Sequence, residues 1–348
     1  MRLTDLDTPA LVLDLDRVEA NIARLQAYCD THGLALRPHI KTHKLPVLAH
    51  KQLQAGAVGI ACQKLGEAEV MIAAGIRDIM LPYNIVGRTK LERLARLARQ
   101  ARISVSVDAE VTARAMSEVL SAEGASVEVF IELASSIQRA GDTQVEEVVR
   151  LARLIADDLP GLVWRGVLMY PTNAANVGAL DAACRALEAA GLRPPVVSGG
   201  GSPTMFKQHE NPWVTEIRIG TYIFEDMTGV RGGYFNLDDC AATLLCTVVS
   251  APTPDRVILD GGSKTFTLEG TAPYGHIVEF PEAHIYAMNE EHGYVNVAEC
   301  AIKPQIGDRV RVIPNHVCAA VNLHNVAYGA RGDYVEAVWP IAGRGLVQ

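Results

Sequence analysis

The chain has 348 residues, 49% of them hydrophobic and 21% charged, with a formal net charge of -8. That length calls for two domains, or a barrel with an appendage, and the acidic balance without a basic run argues against a nucleic-acid surface. Scattered cysteines without a CxxC pair, a start with no signal-peptide pattern and apolar runs too short for a bilayer predict a reduced, cytoplasmic protein with no membrane partner.

The opening ALVLDLD reads as a strand with no helix before it. From about residue 36 to 224, short β-branched runs alternate with amphipathic stretches such as LERLARLARQA and VEEVVRLARLIADDL. The expected strands are Leu36 to Lys41, Val58 to Lys64, Asp78 to Asn84, Arg102 to Asp108, Val127 to Leu133, Val163 to Tyr170, Val196 to Ser202 and Glu216 to Phe224. Eight strands alternating with helices predict a TIM (β/α)8 barrel, since a doubly wound open sheet more often stops earlier. After residue 235 the pattern becomes short alternating strands between Gly, Pro and Asp turns, an all-β texture. The expected domains are a barrel over 15–235 and a β-domain made of 1–14 and 236–348, with the N-terminal strand joining the second sheet.

RPHIKTHK (Arg37 to Lys44) sits at the first barrel strand and its exit. Catalytic groups in such barrels project from the C-terminal strand ends, where a desolvated Lys41 amine could attack an aldehyde. On spacing alone, Lys41 and Lys44 read equally as solvated cap charges. VSGGGSPT (Val197 to Thr204) falls in the loop after strand seven, where barrels bind phosphate. Its glycines allow close backbone approach, and the Ser202 and Thr204 hydroxyls can donate. The alternative is a flexible turn. His316 and Cys318 in PNHVC would share one face of a strand and, as imidazole and thiolate, suit zinc. Two ligands cannot close a structural site, and a polar His beside a core Cys is the plain alternative. Arg139, Tyr170 and Arg218 could each face the barrel mouth or its rim, and His292 in NEEHG could contact a metal or substrate or simply lie in a polar loop.

Together these segments resemble the family of D-threonine aldolases and metal-dependent D-serine dehydratases, relatives of alanine racemase. The similarity runs through TPALVLDLDRVEANI, RPHIKTHK, GIACQKLGEAEVMIAAGIRDI, VVSGGGSPT, TEIRIGTYIF, LDGGSKTF, NEEHG and PNHVCAAVNL. The RPHxKxHK and PNHxC motifs, in this order, are its most specific part. The resemblance implies a barrel plus β-domain, a head-to-tail homodimer, and pyridoxal 5'-phosphate at the barrel mouth. Lys41 matches the lysine that forms the Schiff base with the cofactor, with His39 beside it as a further catalytic candidate. Arg139 matches the arginine near the cofactor's phenolic oxygen. Ser198, Gly200, Gly201, Ser202 and Thr204 match the phosphate loop, and Tyr170 and Tyr222 are cofactor-contact candidates. His316 and Cys318 match the paired ligands of a divalent metal, zinc or manganese.

The activity implied is that of a pyridoxal-phosphate- and metal-dependent lyase acting on D-β-hydroxy-α-amino acids. GVLMYPTN after strand six and the VNL after Ala320 lean to the aldolase branch, which cleaves substrate to glycine and an aldehyde. Cys318 leans the other way, because aldolases carry Asp there. The alternative is therefore a D-serine or 3-hydroxy-D-aspartate dehydratase, eliminating to a keto acid and ammonia. A non-catalytic pyridoxal-phosphate-binding protein is a third reading, opposed by the β-domain and its HxC pair.

Overall fold

The computed structural model describes residues 1–142 and 144–348. Packing divides them into two units, Met1–Arg24 with Thr42–Leu45 and Thr221–Gly345, and Leu25–Lys41 with Pro46–Gly220 and Leu346–Gln348. These limits differ from the sequence boundaries at 15 and 235. The first turns of helix Leu15–His32 are tied to the first unit, where Asn21 Nδ2 donates to the Asp239 carbonyl at 2.9 Å and Arg24 pairs with Asp239 at 2.8 Å and Glu225 at 2.6 Å.

The strands, in chain order, are β1 (Ala10–Asp14), β2 (Ala35–Leu36), β3 (Ile60–Ala61), β4 (Asp78–Asn84), β5 (Arg102–Val107), β6 (Val127–Leu133), β7 (Leu162–Met169), β8 (Val196–Gly199) and β9 (Glu216–Ile217). They continue as β10 (Ala242–Thr253), β11 (Arg256–Leu259), β12 (His276–Ile277), β13 (His284–Met288), β14 (Gly293–Asn296), β15 (Arg309–Ile313), β16 (Val326–Arg331) and β17 (Tyr334–Pro340).

In the larger unit, eight parallel strands run in the order β2-β9-β8-β7-β6-β5-β4-β3, and a bridge between His39 and Ala61 joins the two ends into a barrel. Its helices are amphipathic at the expected spacing. Val145–Asp157 buries Val148, Leu151, Ala152, Leu154 and Ile155, and places Glu146 and Glu147 in its first turn, where the helix dipole favours negative charge. Ala61, Met80, Phe130 and Leu168 form one buried cluster from four strands, and each large side chain there contributes about 2 kcal/mol by leaving water.

Several strands are shorter than their sequences suggest. Pro38 has no N–H for the ladder, so β2 stops at Leu36 and Ile40–Thr42 turns as a 3-10 helix. β8 ends at Gly199 because Gly200 and Gly201 adopt φ of 143° and 147°. β9 gives way to a 3-10 turn at Thr221–Ile223.

Charges close the N-terminal end of the barrel. Arg37 pairs with Glu216 at 2.8 Å and Asp78 at 2.6 Å, and Ser198 donates to Glu216 at 2.6 Å. Arg102 spans Asp78 and Glu128. This network occupies the end opposite the loops that follow the strands.

In the other unit, nine strands form a mixed sheet in the order β13-β14-β11-β10-β1-β16-β17, with β15 on β10 and β12 on β15. β1 pairs antiparallel with β10 and parallel with β16, so the N-terminal strand is built into the C-terminal sheet. Leu6, Ala10, Val12, Leu245 and Ala330 form a core beneath it. Among the described residues, no disulfide joins the cysteines and no helix is long and apolar enough to cross a membrane.

Candidate active site

The barrel unit gathers its candidate residues where the strands end. Lys41 follows β2, half-buried, in the 3-10 turn. His39, two residues earlier, is buried; its Nε2 lies 3.1 Å from Gln63 Oε1, and its Nδ1 accepts from the Lys41 backbone N–H at 3.4 Å. His39 thereby links Gln63 to the Lys41 turn.

The glycine loop is shaped by contacts that exclude side chains. A Cβ at Gly200 would sit 2.6 Å from the Arg218 carbonyl oxygen, and one at Gly201 would press on Pro171 at 3.2 Å. Thr172 braces this loop, its N–H donating to the Gly200 carbonyl at 2.8 Å and its hydroxyl accepting from Gly200 N–H at 3.3 Å. Thr204 is engaged in the same brace, donating to the Thr172 carbonyl at 2.9 Å and accepting from Gln208 Nε2 at 2.9 Å. Ser202 opens the 3-10 segment Ser202–Glu210. Ser198 departs from the sequence expectation. Fully buried on β8, it spends its hydroxyl hydrogen on Glu216, which draws it into the charge network and away from the loop.

Arg218 follows β9 and is enclosed by protein. Its Nη2 reaches the Met169 carbonyl at 3.4 Å, while Nη1 has no hydrogen-bond partner, and burial lowers its pKa to about 10. Nearby Glu132, at the end of β6, accepts from Ser106 at 3.3 Å; burial raises its pKa, with Arg218 and Arg139 opposing the shift. Arg139 is exposed and lies 5.3 Å over the ring of Tyr170, itself partly exposed after β7. A glycine cradle that a Cβ would fill, a buried guanidinium nitrogen still lacking an acceptor and a strand-end lysine fit a phosphorylated heterocyclic aldehyde such as pyridoxal phosphate.

The β-sheet unit carries the other candidates. Tyr222 is buried in the Thr221–Ile223 turn rather than in a strand. His316 and Cys318 also depart from the expected strand. His316 is the N-cap residue of helix Val317–Val321, and Cys318 lies in its first turn. Asp226 is decisive here. One carboxylate oxygen caps helix Met227–Arg231 through Gly229 N–H, and the other accepts from Val317 N–H and His316 Nδ1, both at 3.1 Å. This partner, with Cys318 contributing, holds the imidazole pKa up at about 10. Directing Nδ1 at a carboxylate leaves Nε2 as the ligand atom, the usual arrangement behind a metal-bound histidine. Cys318 Sγ lies 3.1 Å from the hydroxyl of Thr42 and 4.0 Å from that of Thr221. No cluster of three His, Cys, Asp or Glu occurs among the described residues, so a cation held by this soft pair would complete its shell with other donors. His292 is exposed in the turn between β13 and β14.

Sequence reasoning missed Asp226 and Gln63 and left Arg218 open between the barrel mouth and its rim. The D-x-x-G of Asp226-Met-Thr-Gly229 does signal a helix N-cap, but not that its second oxygen meets a histidine 90 residues away. A lone arginine among apolar residues in EIRIGTY was the available signal for Arg218.

Residues 13–227 match the family described as "Alanine racemase, N-terminal domain", and residues 241–330 match "Putative serine dehydratase domain". A D-threonine aldolase from Arthrobacter sp is 36% identical, over 99% of this chain and 94% of that protein. The crystal structure of a D-threonine aldolase from Filomicrobium marinum superposes with a TM-score of 0.94 at 31% identity, covering 100% of this chain and 98% of that one. That of a D-threo-3-hydroxyaspartate dehydratase from Delftia sp. HT23 gives 0.88 at 30% identity, covering 97% and 98%. The chain belongs to the family of D-threonine aldolases and metal-dependent D-serine dehydratases, pyridoxal-phosphate-dependent lyases of D-amino acids on the alanine racemase fold.

Proposed function

We propose that this protein is a lyase of D-threonine-aldolase type, cleaving D-β-hydroxy-α-amino acids to glycine and an aldehyde with the help of a divalent metal. The observation that carries the metal-dependent reading is the bond from His316 Nδ1 to Asp226, which leaves Nε2 available two residues from the Cys318 thiol. The aldolase assignment is supported by the likeness to D-threonine aldolases over essentially the whole chain.

In this reading the Lys41 amine would hold the cofactor, the Gly200–Gly201 turn with Ser202 would receive its phosphate, and Arg218 Nη1, which has no acceptor in the structure, would donate to it. Pyridoxal phosphate supplies the electron sink that stabilises charge developing at the substrate's α-carbon. Arg139, Tyr170 and Tyr222 would be further contacts for it. His316 and Cys318 would hold zinc or manganese, which would supply Lewis acidity at the substrate's β-hydroxyl. Retro-aldol cleavage would pass the β-hydroxyl proton to a base, break the Cα–Cβ bond with release of the aldehyde, and return a proton to the α-carbon to give glycine. The dehydratase reading is favoured by one residue, Cys318, where the aldolase pattern has Asp.

The test is to supply purified protein with pyridoxal phosphate and Mn²⁺ or Zn²⁺ and analyse products. Glycine with acetaldehyde from D-threonine, abolished by a chelator, is the expected result. Pyruvate with ammonia from D-serine and no glycine from any β-hydroxy substrate would replace it with the dehydratase reading. A homodimer in the cytoplasm is part of the proposal, and sedimentation of the loaded protein addresses the dimer.

A further inference from the structure

The barrel unit holds a cation that the roles above leave unused. Lys64 follows β3 as the N-cap residue of helix Leu65–Ala73. Glu67 in that helix spends Oε2 on the backbone N–H groups of Gln63 and Lys64, at 2.6 and 3.3 Å, which fixes the start of the helix. The lysine side chain instead lies over an aromatic face, with Nζ 4.1 Å from the ring centroid of Tyr83. Tyr83 sits near the end of β4, where the ladder to β5 slips between Leu81 and Asn84. A strand irregularity of this kind re-aims a side chain and recurs beside active sites. The Oδ1 atom of Asn84, next along the bulge, is buried and has no hydrogen-bond partner.

A chain of short contacts runs from this pair to the candidate nucleophile. Gln63, the neighbour of Lys64, meets His39 at 3.1 Å, and His39 meets the Lys41 backbone. His39, Lys41, Gln63 and Lys64 follow their strands and Tyr83 lies near the end of β4, at the end where barrels do chemistry. The positive charge of Lys64 meets a quadrupole rather than a carboxylate, so it is steadied but not neutralised. Lys64, and to a lesser degree Lys90, also lower the Tyr83 phenol pKa. The Lys64 ammonium, held at the Tyr83 ring, would attract an anionic substrate group.

We propose that Lys64, steered by the ring of Tyr83, is a specificity-determining residue that receives a carboxylate on the substrate's β-carbon and so favours acidic β-hydroxy amino acids. The inference rests on the lyase reading above and names the substrate class within it. Methyl-bearing D-threonine offers nothing to this cation, whereas 3-hydroxy-D-aspartate places a second carboxylate beyond Cβ.

The experiment compares wild type, Lys64→Met and Lys64→Arg as loaded holoenzymes. Its first readout is the ratio of kcat/KM for 3-hydroxy-D-aspartate over D-threonine. Its second is equilibrium binding of D-aspartate against D-2-aminobutyrate, which differ in the distal carboxylate and both lack the β-hydroxyl. Lys64→Met is expected to lower the kinetic ratio at least tenfold and to weaken D-aspartate at least tenfold relative to D-2-aminobutyrate, while Lys64→Arg restores both. Smaller shifts in the two ratios would overturn the proposal. Lys64→Gln replaces the methionine variant if that one does not fold. Lys64-dependent binding of D-aspartate by a protein that releases no glycine from either substrate would sink the aldolase reading and leave the lysine's role supported.

Discussion

His316 and Asp226 lie 90 residues apart in the chain and are joined by a 3.1 Å hydrogen bond between imidazole Nδ1 and a carboxylate oxygen. The same oxygen accepts from Val317 N–H, and its twin caps a short helix, so the carboxylate is held by groups that do not depend on a metal. Asn315 adds to the clamp: its side-chain oxygen accepts from Gly275 N–H and Arg231 Nη1, and its backbone carbonyl accepts from Thr228. The imidazole is thus oriented before any cation arrives.

Asp226→Asn tests that preorganisation. Asn keeps one acceptor oxygen, enough for the Gly229 cap or for the Val317 and His316 donors but not for both, so some stability is lost, and the amide neither holds the Nδ1 proton as strongly nor raises the basicity of Nε2. Metal affinity is expected to fall by about 10- to 100-fold, measured by competition with a chromogenic chelator, with activity recovering at excess metal. Unchanged affinity would show that His316 is not a ligand through Nε2.

The glycine loop makes a prediction about the cofactor. Gly200→Ala forces a Cβ to 2.6 Å from a backbone oxygen at φ 143°, a conformation that costs a non-glycine residue on the order of 1–3 kcal/mol. Relieving the clash moves the Gly200 or Arg218 backbone, so both stability and retention of pyridoxal phosphate should drop, read by thermal melting and by the visible absorbance left after gel filtration. Gly178→Ala is the control. It lies in helix Val177–Ala189 with nothing near its added Cβ, and should raise stability by roughly 0.5–1 kcal/mol without affecting the cofactor.

How much of this was legible in the sequence depends on how local each feature is. The barrel was legible because helices such as Val145–Asp157 repeat apolar residues at three- and four-residue intervals, and strands such as Val127–Leu133 are β-branched runs of the right length. RPHIKTHK and SGGGSPT were legible because their chemistry is local. The Ser198 bond to Glu216 was not legible for the opposite reason. Its partner is 18 residues away on the neighbouring strand. His316 and Cys318 stand together as expected, but on a helix start, because a five-residue apolar run like VCAAV has no period that separates strand from helix.

Glu225 gives the pH dependence. Its side chain is wholly enclosed, Oε2 has no partner, and burial drives the carboxyl pKa up to about 8 even though Arg24 lies 2.6 Å from Oε1. Nearby Asp239 and Asp226 push in the same direction. A carboxyl raised above its unfolded value of about 4.3 contributes stability that is complete below that value and is lost as pH rises to the folded pKa. The window is therefore about pH 4.3 to 8, and the loss on the order of 5 kcal/mol. Glu225→Gln should flatten this slope, so that the variant gains on wild type in denaturant melts at pH 8.5 relative to pH 5. Parallel pH profiles would show the carboxylate ionised throughout.

The charged end of the barrel supplies the last prediction. Arg37 is buried and holds Glu216 at 2.8 Å, with Ser198 on the other carboxylate oxygen at 2.6 Å. Arg37→Met removes the cation and leaves Glu216 enclosed with one hydroxyl for company, a loss of about 3–5 kcal/mol because an ion has been stranded rather than a favourable pair removed. If that account holds, Arg37→Met with Glu216→Gln should be more stable than Arg37→Met alone, since the amide still accepts from Ser198 and carries no charge to bury. A double variant no more stable than the single one, in urea unfolding at pH 7, would assign the loss to the packing of the arginine stem instead. The network lies away from the strand ends that bear Lys41 and Gly200, so kcat of whatever folded enzyme remains should change far less than its unfolding midpoint.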